Sequence, residues 1–179
     1  MTDNPRIPTN GEVDRFWDLI ESAWAQLGDE ARLARRTVVE RDPDGESVNV
    51  YAADSWLEPM LANLASRCAD LTGEELTDLD RVVERLLYDI DRAEIQAVTD
   101  GSDDGFLYCR GLIVALGRDF YDAVRANPAM AVLDGECEGM CYFFARLYDK
   151  RYGGYPHTGS GISRESVSNA DGWRSAGTA

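Results

Sequence analysis

The chain has 179 residues, 44% of them hydrophobic, enough for one domain around a single sizeable core. Its formal charge of −15 sets 33 acidic residues against 18 Lys and Arg. Phosphate-backbone binding needs the opposite balance, because cationic side chains must displace counterions, so nucleic acid is not an expected partner.

Residues 1–8 are polar, contain two prolines and read as a loose N-terminal arm. Thr9-Asn10-Gly11-Glu12 matches a capping box, in which a hydroxyl and a carboxylate satisfy exposed N–H groups reciprocally. Val13, Phe16, Trp17, Ile20, Trp24 and Leu27 follow at helical spacing and Gly28 ends the pattern, which predicts a first helix with an aromatic core stripe. A short arginine-rich helix is expected from Asp29 to Arg36. The β-branched runs Thr37–Glu40 and Ser47–Tyr51 then flank Asp42-Pro43-Asp44-Gly45, a turn sequence, and predict a small β-hairpin or an extended loop insertion over residues 37–51.

A further helix should start at Asp54 or Ser55 and bury Leu57, Met60, Leu61, Leu64 and Cys68, with Pro59 tolerated in its first turn. A second capping box, Thr72-Gly73-Glu74-Glu75, opens an amphipathic pattern that runs to about Val98. Its charged residues, Asp78, Asp80, Arg81, Glu84, Arg85 and Asp91, read as a solvated face. Gly101 is expected to break the chain, Ser102 to cap the next helix, and Asp103 and Asp104 to occupy its first turn, facing free N–H groups and the positive end of the dipole. Phe106, Leu107, Cys109, Leu112, Ile113, Val114 and Leu116 make that helix apolar nearly all round, hence central and buried. Gly117 should turn the chain into a short helix burying Phe120, Tyr121 and Val124, closed by Asn127-Pro128. A last long helix is expected from Asp134 or Gly135 to Tyr152.

Together these readings give an all-α fold: a single-domain helical bundle of about five to six helices over residues 9–152, with the hairpin or loop as an insertion. Residues 153–179, rich in Gly and Ser, form a C-terminal tail that can be ordered only by packing on the body, with Tyr155 and Trp173 as anchors. The four cysteines fall within predicted helices and no signal-peptide pattern precedes them. The longest apolar run, Gly111 to Gly117, falls far short of the roughly 18–20 residues of a membrane span. The expected setting is the cytoplasm, without membrane attachment.

Phe16-Trp17-Asp18-Leu19-Ile20-Glu21, then Gly101-Ser102-Asp103-Asp104-Gly105-Phe106 ahead of a buried helix with Arg110, then Gly117-Arg118, Tyr121 and Asn127-Pro128, resemble the bacterial family known as domain of unknown function 4240. The resemblance covers about residues 12–134, with the helix around Glu138 and Tyr142 as an extension. It implies a helical fold and a bacterial cytoplasmic setting, and no activity. Residues 29–56 depart from the family pattern by their length, and Cys109-Arg110-Gly111 by its small neighbours around the arginine.

Chemistry would centre on Asp103 and Asp104, since adjacent carboxylates can bind a cation or act as acid and base when burial raises one of them. Capping and the helix dipole also explain them. Arg110 lies seven residues beyond Asp103, two turns along the same face. Its guanidinium requires a carboxylate partner if buried, and Asp14, Asp18 or Glu21 on the first helix could supply it. Ser102, Asp103, Asp104, Arg110, Trp17 and Glu21 therefore form the candidate ligand or partner site, placed where the start of the buried helix meets the first helix.

Cys137 and Cys141 share a helical face but read as packing thiols, so no metal and no cofactor are expected. His157, the single histidine, lies in the tail, and no Walker, dinucleotide, zinc-protease or nucleophile-elbow motif occurs. The expected function is a protein-interaction or regulatory, immunity-like module whose partner is another protein. The alternative is a small-molecule or metal-binding enzyme using Asp103, Asp104 and Arg110.

Overall fold

The computed structural model describes residues 4–99 and 102–174, and no strand occurs among the described residues. The outer residues of the N-terminal arm and of the tail lie outside them, as does Gly101, the expected breaker.

Ten α-helices and one 3-10 turn form the described chain: α1 Asn10–Ala25, α2 Asp29–Val39, α3 Asp54–Arg67, α4 Gly73–Asp89, α5 Ala93–Thr99, α6 Asp103–Ala115, α7 Arg118–Ala126, the 3-10 turn Pro128–Met130, α8 Glu138–Cys141, α9 Phe143–Tyr152 and α10 Ala170–Trp173. The all-helical class agrees with the sequence reading, but the helix count is higher. Two long helices are each broken in two. The pattern expected to run to Val98 stops at Asp89 and resumes as α5, and the last helix is divided at Tyr142, whose φ of −125° and ψ of 23° leave the helical region. Periodicity continues across both breaks, which is why it did not reveal them.

The hairpin does not form. Thr37, Val38 and Val39 continue α2, because Val38 stands seven residues after Ala31 and both are buried on one face. Burial outweighs the few tenths of a kcal/mol by which β-branched residues disfavour a helix. An isolated two-stranded ribbon, by contrast, is marginal in water. The turn chemistry was real: Asp44 N–H donates to Asp42 Oδ1 at 3.0 Å and Gly45 N–H to the Asp42 carbonyl at 3.2 Å. It sits in a loop rather than between strands. That loop is pinned where Arg41 donates to the Met130 carbonyl at 2.6 Å and the Tyr51 hydroxyl to the Leu133 carbonyl at 3.0 Å.

Both capping boxes are made, with Thr9 and Glu12 at the start of α1 and Thr72 and Glu75 at the start of α4. Pro59 lies beyond the first turn of α3, inside the helix, where it removes one intrahelical hydrogen bond. α1 packs on α3 and α4, α4 on α9 and α6, and α6 on α8 and α7. As expected, α6 is the most deeply placed helix: from Gly105 to Ala115 every residue except Tyr108 is buried. Gly111 allows α8 to approach it, since a Cβ there would lie 2.5 Å from the Cys137 carbonyl and 2.6 Å from Cys141 Sγ. Gly117, at φ 97°, turns the chain into α7.

Candidate functional site

Ser102 caps α6 as predicted, accepting the Gly105 N–H at 3.0 Å, and Asp103 and Asp104 occupy the exposed first turn. Arg110 is fully buried, with its guanidinium 4.7 Å over the Phe106 ring. It does not pair with the first helix. It donates to the Leu87 carbonyl at 2.8 Å and to the Ser166 hydroxyl at 3.0 Å, while its Nε has no hydrogen-bond partner. Burial pulls its pKa below the ordinary arginine value, with the Asp91 carboxylate opposing.

Of the carboxylates expected to meet Arg110, Asp14 accepts from Arg118 at 3.0 Å, and Glu21 takes the Arg35 guanidinium through both oxygens. Trp17 is core, 4.9 Å from Phe16 and 5.5 Å from Tyr121 between ring centroids. The first helix reaches α6 at the opposite end, where Trp24 Nε1 donates to the Ala115 carbonyl at 2.8 Å. The six candidate residues are thus not brought together. The start of α6 meets the C-terminal segment instead, with the Ser166 hydroxyl donating to the Asp103 carbonyl at 2.6 Å.

That segment builds the principal polar cluster of the structure. After the turn at Gly153 and Gly154, held by Gly154 N–H on Asp149 Oδ1 at 2.6 Å, residues 155–173 lie along the charged face of α4. The face read as solvated is therefore largely covered: Asp80, Arg81 and Asp91 are exposed by 2%, 1% and 0%. Arg164 donates to Asp80 Oδ1 and Oδ2 at 3.2 and 2.8 Å and to the Cys141 carbonyl, beside the α8–α9 break, at 2.6 Å. Glu84 lies 3.1 Å from the same guanidinium and accepts the hydroxyls of Thr158 and Ser160 at 2.6 and 2.7 Å.

Arg81 Nε donates to the Thr158 carbonyl at 2.5 Å. Asp91 accepts the N–H groups of Val167 and Asn169 at 3.0 and 2.8 Å, and Trp173 Nε1 at 3.0 Å. Trp173 also stands edge-on to Phe106, the anchoring expected of it, and Tyr155 lies 6.3 Å from Tyr142. Burial pushes the Asp80 carboxyl above the usual range against the pull of Arg164. Burial acts to lower Arg164, but Asp80 and Glu84 outweigh it and hold the guanidinium above its ordinary value.

No sequence pattern marked these partners as a set, because Asp80 and Glu84 meet side chains 74 to 84 positions further along the chain. The available signal was compositional: an arginine, Arg164, amid Ser and Gly, opposite a helix with several carboxylates on one face.

The cysteines add no reactive group. Burial pushes Cys68 up to about 11, and Cys137 and Cys141 up to about 12. His157 lines an open cleft of about 640 Å³ between residues 4–6 and 156–162, whose lining contains no cysteine. Among the described residues no group of three or more His, Cys, Asp and Glu side chains is arranged to hold a metal ion. No helix among them is long and apolar enough to cross a membrane.

A family model described as "Protein of unknown function (DUF4240)" matches residues 46–150, more than half of the chain. The matched range takes in α3 to α8 and nearly all of α9, and leaves out α1, α2 and the C-terminal segment. No curated protein and no solved structure matches.

Proposed function

Since the chain belongs to the DUF4240 family, whose description carries no activity, we propose from its geometry that it is a protein-interaction module whose helical body holds a polypeptide segment. The observation that carries this reading is the binding of residues 158–173 along α4. The body accepts main-chain N–H groups at Asp91, donates to a main-chain carbonyl from Arg81, and takes side chains at Asp80, Glu84 and Arg110. Contacts to both backbone and side chains are how a surface recognises a peptide segment. A regulatory or immunity-like role fits such a module, because a segment that occupies the surface in cis can be exchanged for one presented in trans.

The test is affinity capture from the native host with the full chain and with the variant Arg164→Gln. A partner recovered in stoichiometric amount, and more abundantly by the variant, supports the reading. Repeated recovery of nothing at low salt by either chain overturns it.

A further inference from the structure

We propose that Asp80 and Glu84 form a receptor for an arginine side chain carried on an irregular segment of a partner protein, and that Arg164 occupies this receptor in cis. The inference rests on the reading of the body as a polypeptide-binding module and names the class of segment it takes. Asp80 is almost wholly buried and its two oxygens face the two terminal nitrogens of one guanidinium, with Glu84 on the second edge. A carboxylate so far from water needs a cation, and the planar fork of arginine satisfies both oxygens at once where the point charge of lysine does not. The Tyr142 ring, 4.8 Å from the Arg164 guanidinium carbon, forms a third wall that also selects a flat cation. The neighbouring contacts add a register. Hydroxyl side chains six and four residues before the arginine meet Glu84, a hydroxyl two residues after it meets Arg110, and main-chain N–H groups three and five residues after it meet Asp91.

Two features make the occupant exchangeable. The receptor residues Asp80, Glu84, Asp91, Arg110 and Tyr142 all lie within the range matched by the family model, and residues 155–173 lie beyond it. The buried apolar core is also built by the body rather than by the segment: its last buried member is Phe144, and from the segment only Trp173 packs against it. The segment is held by polar contacts at an effective concentration on the order of mM. A segment in trans that repeats those contacts and adds apolar ones therefore displaces it while the core stays packed.

The experiment uses the full chain carrying Arg164→Gln and a labelled synthetic peptide of residues 155–174, followed by fluorescence anisotropy. The peptide should bind this variant about tenfold or more tighter than it binds the wild-type chain, and the same peptide with Arg164→Gln should bind about tenfold or more weaker. Adding Asp80→Asn to the variant chain should remove the difference between the two peptides. If both peptides bind the variant equally, the arginine receptor is overturned while the polypeptide-binding reading stands. If neither binds a variant that circular dichroism shows to be helical, both fall. Should Arg164→Gln prevent folding, Arg164→Lys, which keeps a positive charge beside Asp80, is put through the same comparison and judged by the same outcomes.

Discussion

Arg164 donates to both carboxylate oxygens of Asp80 from 84 residues further along the chain, and both side chains are buried. Removing two charges from water costs several kcal/mol per ion, which their attraction offsets only with close geometry and further hydrogen bonds. Here the further bonds exist, to Glu84 and the Cys141 carbonyl. The pair therefore decides where the C-terminal segment lies more than it raises total stability. Breaking it from one side should be costly: Arg164→Gln and Asp80→Asn should each lose about 3–5 kcal/mol in urea denaturation. The double variant should lose clearly less than the sum, and additivity within about 0.5 kcal/mol would show that the two do not interact.

The Thr72 main-chain N–H, then Arg15 and the Thr72 hydroxyl, hold Glu75 down to about 2, below its ordinary 4.5. A lowered folded value means that the ionised form favours the native state. The contribution is complete above the ordinary value and disappears as pH falls from 4.5 to about 2. Comparing stability against pH for the wild type and Glu75→Gln should show an advantage for the wild type that vanishes over that interval.

With Cys68 near 11 and Cys137 and Cys141 near 12, these thiols stay protonated at pH 8 as well as buried; Cys109 is only 1% exposed. A thiol reagent such as Ellman's should react with the native protein only as fast as it opens, and with all four cysteines promptly in denaturant. Rapid stoichiometric labelling of the native chain would contradict the packing described for α6 and α8.

Gly111→Ala places a methyl group against the Cys137 carbonyl and Cys141 sulfur, with main chain on one side that cannot rotate away. A loss of about 1–3 kcal/mol is expected from overpacking. A neutral or stabilising result would mean that α8 moves freely on α6.

Asp103 and Asp104 are exposed at the start of α6, so Asp103→Asn and Asp104→Asn should cost only the dipole contribution, about 0.3–1 kcal/mol each. A thermal-shift screen with divalent metals, nucleotides and amino acids is expected to move the wild type and both variants alike. A ligand that stabilises the wild type and neither variant would establish these carboxylates as a binding site.

Local signals decided much of this protein. The capping boxes at Thr9 and Thr72, the Ser102 cap, the apolar stripes of α1, α3 and α6 and the turn at Gly117 all depend on residues within a few positions of one another, so spacing alone specified them. The family, too, was legible in the sequence, although the matched range, residues 46–150, leaves out Phe16–Glu21, where the resemblance was first drawn. Tertiary structure decided what spacing cannot encode. It drew Thr37 to Val39 into a helix by burying Val38, broke two periodic stretches without a Gly or Pro at the break, and set Arg110 on Leu87 and Ser166 rather than on α1. It also turned the charged stripe of α4 inward, because a polar segment from the far end of the chain supplies the hydrogen bonds that water would otherwise provide. A charged helical face carries no mark of whether its partner is solvent or polypeptide, and only the path of residues 155–173 settles which one covers Asp80.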